Sequence, residues 1–442
     1  MSATADLVLT GQYVVTMDGQ QRVIEEGGVA IAGDTILDVG KGADLLARHP
    51  QARVMTEPHG LIMPGLINVH THAAMSLFRG LADDLELMQW LQDYIFPLEA
   101  TLSGEVVCQG TLLSIAEMIK SGTTSFCDMY LFAGDVARAV EESGMRAWIG
   151  EVLYDFPSPN YGELENGFAY TRQLLARYRS HPLINITVDP HAVYTCSPHL
   201  LTRLGDLARE EGALYVIHLA ENEAEVRTCR ERYGRSPVDH LESLGLLGPQ
   251  VVADHCVMLT NAEIELLARR GVKVAHCPES NLKLASGIAP VVQMLEAGIC
   301  VGIGTDGSAS NNDVDMFGEM NTTAKIHKVD RLDPTVMSAA TTLHAATMGG
   351  ARVLGAEQLI GSLEPGKKAD CIVLDLNQPH LTPIYNPISH LVYAARGGDV
   401  IHSVINGRVV MEQRRLLTID EPAILARASE IGASFRQARN GG

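Results

Sequence analysis

Eight short apolar runs alternate with helix-patterned stretches through the middle of this chain, and that alternation constrains its fold more than any other feature. After an opening run that ends in His70-Thr71-His72, the runs cover 124–129, 147–153, 184–188, 214–219, 251–255, 272–276 and 300–305. Between them lie helical stretches such as 104–120, 135–143, 198–211 and 261–270. Strands that are apolar on every residue are covered on both faces, as parallel strands are when helices cross over them. Eight strand-helix units predict an α/β fold built on a closed (β/α)8 barrel.

The two ends of the chain read differently. Residues 6–10, 13–17, 28–32 and 35–39 are short β-segments separated by Gly-Gln, Asp-Gly and Gly-Asp, which predicts a small antiparallel sheet. Near the other end, 371–374, 400–405 and 408–411 are again β-rich, and Asn406-Gly407 between two apolar runs is a strong hairpin signal. Each piece is small for a core of its own, so the two are expected to pair into one β-sandwich flanking the barrel. The expected boundaries are 1–60 and 361–442 for the sandwich, the latter with a terminal helix, and 61–360 for the barrel.

Charge narrows the partners. With 53 acidic against 34 basic side chains, the net charge of −19 disfavours binding to a phosphate backbone, so nucleic acid is not an expected partner. The acidic excess is spread along the chain, as on a solvated surface. Eight scattered cysteines without a Cys-x-x-Cys pair fit a reducing compartment, and the expected location is the cytoplasm. The opening Met1-Ser2-Ala3-Thr4-Ala5-Asp6 has no basic segment followed by an apolar one, and no apolar run reaches membrane-spanning length. Neither export nor a membrane partner is expected.

Chemistry in such a barrel belongs at the C-terminal ends of the strands, and titratable residues gather there. The first strand ends in His70-Thr71-His72, the fourth runs into Asp189-Pro190-His191, the fifth ends His218-Leu219-Ala220-Glu221, the sixth Asp254-His255, the seventh His276-Cys277-Pro278 and the eighth Gly304-Thr305-Asp306-Gly307. Residues i and i+2 of a strand share a face, so His70 and His72 can meet one centre. With His218 and Asp306 they supply three nitrogens and one oxygen, a set suited to a divalent ion with a coordination place left for water. Zinc is the expected metal; iron and manganese tolerate overlapping donors. Glu221 can approach the same centre without reaching the ion, although it, Glu223 and Glu225 also fit first-turn glutamates favoured by a helix dipole. His255 is a candidate for orienting the reacting water. For His276, packing at the strand end and function stand equal.

Pro64-Gly65-Leu66-Ile67-Asn68-Val69-His70-Thr71-His72, His218-Leu219-Ala220-Glu221, Asp254-His255, His276-Cys277-Pro278-Glu279-Ser280-Asn281 and Gly304-Thr305-Asp306-Gly307 together resemble the amidohydrolase superfamily, in its metal-dependent deaminase and chlorohydrolase branch. The similarity spans nearly the whole chain and includes Gly361-Ser362-Leu363-Glu364-Pro365-Gly366-Lys367-Lys368-Ala369-Asp370, which resembles the family's return from barrel to sandwich. Residues 73–84 and 90–99 resemble the 5-methylthioadenosine/S-adenosylhomocysteine deaminases. That resemblance implies that Glu99 grips the ribose hydroxyls, that His191 contacts the nucleoside, and that Trp90 belongs to the same substrate site. A carboxylate accepting from two vicinal hydroxyls is a sensible sugar handle.

The implied reaction is hydrolytic deamination of an adenosine-type nucleoside. Asp306 accepts a proton from the attacking water, His255 orients that water, and protonated Glu221 donates to purine N1 and helps carry a proton to departing ammonia. No lysine lies in 184–195, which favours one metal over a carboxylated-lysine pair. One departure bears on substrate: relatives that accept S-adenosylhomocysteine are expected to present arginines to its carboxylate, some from the loop after the third strand. Here Arg146 precedes that strand and 148–171 contains no arginine, so methylthioadenosine is the expected substrate. The alternatives are a guanine or pterin deaminase, a triazine hydrolase, or a non-catalytic barrel kept as a scaffold. The sequence leaves a homo-oligomer open.

Overall fold

The computed structural model of the chain describes residues 4–440; the first three residues of the opening segment and the last two of the C-terminal piece lie outside the described residues. Five strands come first: β1 (Leu7–Val15), β2 (Val23–Glu25), β3 (Gly27–Ala32), β4 (Thr35–Lys41) and β5 (Arg53–Pro64). The middle contributes β6 (Leu66–Thr71), β7 (Thr123–Tyr130), β8 (Arg146–Leu153), β9 (Ile184–Ile186), β10 (Asp189–Pro190), β11 (Tyr215–Leu219), β12 (Val251–His255), β13 (Lys273–His276) and β14 (Val301–Ile303). The chain closes with β15 (Cys371–Asp375), β16 (Val400–Ile405), β17 (Arg408–Glu412), β18 (Arg415–Leu416) and a helix over Glu421–Asn440.

The two ends do meet, in a single nine-stranded sheet ordered β18-β17-β16-β15-β5-β1-β3-β4 with β2 beside β1. Two details correct the expectation of a small antiparallel N-terminal sheet. β1 pairs with β5 in parallel, because the helix Gly42–Arg48 carries the chain back between them. Residues 6–10 and 13–17 are not two strands either. Most of both segments belongs to one strand, Leu7–Val15, in which Gly11-Gln12 is a register irregularity against β5 rather than a turn, while Asp6, Thr16 and Met17 lie outside it. A Cβ on Gly11 would meet the Gly60 carbonyl oxygen at 2.7 Å, so glycine lets the two backbones close there. The Asn406-Gly407 turn forms as expected, with both residues at positive φ (51° and 77°) between Ile405 and Arg408.

In the middle, β6–β10 and β11–β14 are two all-parallel sheets, each strand followed by helix except β9, which runs on into β10, the two pairing with successive parts of β8. They meet at both edges. Parallel bridges Val188–Tyr215 and Ala192–His218 join one side. On the other, the Asp306 amide donates to the His70 carbonyl at 3.0 Å, and Asn68 Nδ2 donates to Thr305 Oγ1 at 2.7 Å. β6–β8 are buried on every residue, as continuous apolar runs require. The opening apolar run itself serves both structures: it leaves the terminal sheet at Pro64 and enters the parallel one at Leu66. Gly65 fits between because a Cβ there would meet Thr124 Oγ1 at 2.0 Å.

Helix boundaries follow local capping chemistry. The helices Gly104–Lys120, Pro198–Glu211 and Asn261–Arg270 start after Ser103, Ser197 and Thr260, whose side chains accept from the third residue's amide. The helix expected over 135–143 starts earlier, at Ala133, because the chain turns at a left-handed Phe132 that no side chain caps. At the base of β8, Arg146 and Asp370, both about 4% or less exposed, form a bidentate pair (2.7 and 3.1 Å) that ties the parallel sheet to the terminal one. Among the described residues, no helix is long and apolar enough to cross a membrane. All eight cysteines are free thiols.

Candidate metal centre and active site

β6 delivers His70 from its buried face, and His72 follows just past the strand end. β11 contributes His218, and the turn after β14 contributes Asp306. These side chains converge. His72 Nε2 lies 3.2 Å and His70 Nε2 3.5 Å from Asp306 Oδ1, and His218 Nε2 is 3.3 Å from His72 Nε2. The donor atoms of His70, His72 and His218 all lie within 4.8 Å of one another, as do those of His70, His255 and Asp306.

What lies behind each imidazole determines which nitrogen faces the centre. His72 Nδ1 sits 2.5 Å from the Met129 carbonyl, His218 Nδ1 2.8 Å from the His191 carbonyl, and His255 Nδ1 2.9 Å from Asn281 Oδ1. Each of these oxygens accepts a hydrogen bond from Nδ1–H, which keeps the proton on Nδ1 and leaves Nε2 with the free lone pair. His70 Nδ1 lies 3.1 Å from Asp254 Oδ2. Two imidazole lone pairs facing each other at 3.3 Å repel unless a cation or a proton lies between them. The donor set therefore fits a divalent metal.

Asp306 is held for that task. Its Oδ2 accepts from Ser280 (2.6 Å) and Ser310 (2.8 Å), and its Oδ1 from the Gly307 amide (2.8 Å). Its backbone sits at φ +62°, a strained conformation for a non-glycine residue that the Asp306 amide bond to His70 helps maintain. Burial opposes its ionisation, but the bonds from His70 and His72 outweigh it and hold the carboxyl well below the usual range. The metal-free imidazoles respond unequally. Burial would lower His70, yet Asp254 and Asp306 hold it well above its ordinary value, whereas burial and the neighbouring imidazoles push His218 well below.

The centre opens on a cavity whose lining is mostly apolar with a few polar groups converging on it, as small-molecule sites are built. Every residue expected to touch substrate lines it: Glu99, His191, Glu221 and Trp90. Trp90 and Glu99 lie on a helical segment, Leu87–Glu99, interrupted by one π-helical turn at Leu91–Ile95, an irregularity common at functional sites. Glu99 is no surface carboxylate. Burial pushes it up to about 7, opposed in part by the Tyr130 hydroxyl and His72. Burial likewise raises Glu221, with His255 pulling the other way, and it lowers His191 to about 3, so that imidazole is neutral. His191 Nδ1 is engaged by Thr195 Oγ1 at 2.8 Å.

Several contributors escaped sequence reasoning. Ser280 and Asn281 stand inside a quoted motif, but nothing local says that one holds Asp306 and the other His255. Ser310 and Asp254 carried no signal beyond lying after a strand or at its end. The aromatic wall of Phe96, Tyr154 and Tyr194 was not foreseen. His276 resolves toward packing, since it does not line the cavity and its Nε2 pairs with His327 Nε2 at 3.1 Å.

Comparison with known proteins agrees with this geometry. Residues 61–410 match the profile of the amidohydrolase family, and residues 27–52 match an imidazolonepropionase-like composite domain of bacteria. A 5-methylthioadenosine/S-adenosylhomocysteine deaminase of Syntrophobacter fumaroxidans is 56% identical over 435 residues, covering 98% of this chain and 99% of its own. A 5'-deoxyadenosine deaminase of Methanosarcina mazei is 43% identical, covering 96% and 97%. The crystal structure of an adenosine deaminase from Xanthomonas campestris with bound zinc superposes with a TM-score of 0.97 at 41% identity, covering 99% of this chain and 100% of that one. An atrazine chlorohydrolase from Arthrobacter aurescens TC1 shares the fold at 24% identity, with a TM-score of 0.90 and 96% and 100% covered. The ordered histidines and aspartate, the cavity they open on and these full-length similarities make this chain a member of the amidohydrolase family.

Proposed function

We propose that the chain is a metal-dependent deaminase that converts an adenosine-type nucleoside, 5'-methylthioadenosine above others, to its inosine analogue and ammonia. The observation that carries this reading is one cavity lined together by His72, His218, Asp306, Glu221 and Glu99, which offers a single ligand a metal centre, a proton donor and a sugar acceptor. Relatives named as deaminases of methylthioadenosine, S-adenosylhomocysteine and 5'-deoxyadenosine support it. His70, His72, His218 and Asp306 would hold the ion, and the zinc in the adenosine deaminase structure favours zinc. When bound, such an ion supplies Lewis acidity that lowers the pKa of water from about 15.7 to about 7.

The residues then divide the proton work. Asp306 takes a proton from the attacking water, and His255, its ring held by Asn281, orients that water. Glu221, whose carboxyl burial raises above its ordinary value, gives its proton to purine N1 as C6 is attacked. The hydroxyl proton of the tetrahedral adduct returns to Glu221 as the C6 carbonyl forms, and the proton on Asp306 leaves on the amino nitrogen as ammonia. Glu99 accepts from the ribose hydroxyls, and neutral His191 and Trp90 flank the nucleoside.

No lysine or arginine lines the cavity among the described residues, which supports an uncharged 5' substituent over the amino-acid tail of S-adenosylhomocysteine. Arg146 is committed to Asp370 at the base of β8, away from the cavity. The edge-to-edge parallel sheets support a closed (β/α)8 barrel over 61–360, and the single nine-stranded sheet built by both chain ends supports 1–60 and 361–442 as one flanking β domain, which we read as the β-sandwich. The eight free thiols favour the cytoplasm.

Glu221→Gln tests the assignment: bound metal should stay at the parental level while turnover falls about 100- to 10,000-fold. Near-parental turnover would remove Glu221 from the chemistry. A panel of methylthioadenosine, adenosine, S-adenosylhomocysteine, guanine and a chlorotriazine, followed by ultraviolet absorbance and ammonia release, separates the reading from other reactions of the family. A metal-loaded protein inert to all of them would favour a scaffold.

A further inference from the structure

Sequence pattern treats Glu223 and Glu225 alike, as acidic residues in the first turn of a helix. The structure separates them. Glu223 is exposed, whereas Glu225 is 3% exposed and points back toward the end of β11. Its Oε1 accepts from the Ala220 amide at 3.1 Å and its Oε2 from the Glu221 amide at 2.8 Å. Between those two amides the chain makes an unfavourable turn, with Ala220 in the left-handed region at φ +52°. The next side chain is Glu221, which faces the cavity; Glu225 does not line it.

We propose that Glu225 is a positioning residue for Glu221, and the inference rests on Glu221 being the proton donor. Burial pushes Glu225 up to about 8 while these two amides pull the other way; a carboxyl group that closes with both oxygens on two successive amides holds the left-handed alanine in place and so sets where the Glu221 carboxyl points. Only a group with two acceptor oxygens does this. In Glu225→Gln one of the two amides would face an NH2 group, donor against donor, although size and burial are kept. Glycine at 220 adopts positive φ without the Cβ penalty, so the turn then depends less on the carboxylate.

The test compares the metal-loaded parent, E221Q, E225Q and E225Q/A220G, with methylthioadenosine as substrate. For each, kcat, KM, bound metal and far-ultraviolet circular dichroism are measured. The expected result is a 10- to 100-fold fall in kcat for E225Q, the order of effect that misplacement of a reacting group by about 1 Å produces. KM, metal content and dichroism should stay within about twofold of the parent, because the lost interaction matters for the chemical step. E225Q/A220G should recover most of the lost kcat.

Three results overturn the proposal: parental kcat in E225Q, a loss of kcat matched by loss of metal or of dichroism, or a double variant no faster than E225Q. E221Q separates this failure from the other. An active E221Q means that Glu221 is not the donor, whereas an inactive E221Q beside a parental E225Q removes only the role of Glu225.

Discussion

Replacing Glu99 by glutamine tests the sugar end of the site by turning one carboxylate oxygen into an NH2 group with almost no change of shape. Burial raises the Glu99 carboxyl from 4.5 to about 7. At about 1.4 kcal/mol per pKa unit, ionising it in place costs up to about 3 kcal/mol, less where water enters the cavity. A nucleoside offsets that cost with two hydroxyl hydrogen bonds to the charged carboxylate, each worth roughly 1.5–3 kcal/mol. Glutamine keeps one acceptor and turns the other position into a donor. The loss of one such bond lowers kcat/KM for methylthioadenosine by roughly 10- to 150-fold, read from the ultraviolet change on deamination. A 2'-deoxy analogue already lacks one hydroxyl, so it should lose much less in the variant.

Two pH signatures accompany the substitution. In the parent, kcat/KM falls as pH drops through about 7, because protonated Glu99 no longer accepts two bonds; E99Q lacks this limb. For stability the sign is opposite. The folded protein binds the Glu99 proton more tightly than the unfolded chain does, so between pH 4.5 and about 7 rising pH destabilises the parent. E99Q should therefore be more stable than the parent at pH 8, by up to about 3 kcal/mol, and the difference should shrink toward pH 5. Unchanged kcat/KM on the ribosyl substrate, or equal denaturant midpoints at both pH values, would refute the placement of Glu99 as a desolvated sugar acceptor in the cavity wall.

Two other perturbations probe the metal centre and the scaffold. In the metal-free protein, Asp254 and Asp306 hold a proton on His70 well above the ordinary imidazole value, and that proton must leave before Nε2 can bind an ion. Chelation should abolish activity, and the affinity for added zinc, measured by calorimetric titration, should rise with pH through the neutral range with proton release. At the base of β8, Asp370→Asn leaves the Arg146 guanidinium buried without its counter-charge. The expected loss is about 3–5 kcal/mol of unfolding free energy in denaturant titration, with kcat unchanged in the surviving folded protein.

Much of this architecture is local in origin and was therefore legible in the sequence. Three helices begin where Ser103, Ser197 and Thr260 cap them, because a hydroxyl three residues from an unpaired amide acts without help from the rest of the fold. The parallel strands announce themselves because burial on both faces demands continuous apolar runs. His70, His72, His218 and Asp306 were recognisable because strand ends in this topology face one rim. The errors arose where a distant partner decides. Gly11-Gln12 looks like a turn until Gly60 lies across from it on β5.

The sequence by itself determined the alternation of strand and helix, the rim on which chemistry sits and the residue types that reach it. Tertiary structure alone decided which imidazole meets the metal centre and which, like His276, pairs with another histidine in the packing. It also decided that Asn281 turns His255 toward the cavity, that Ser280 and Ser310 aim Asp306, and that Glu225 rather than Glu223 bonds the turn before Glu221. Hydrogen-bond periodicity and capping act over a few residues along the chain. Convergence of side chains depends on strand register and on contacts between residues far apart in sequence, and no local pattern encodes those.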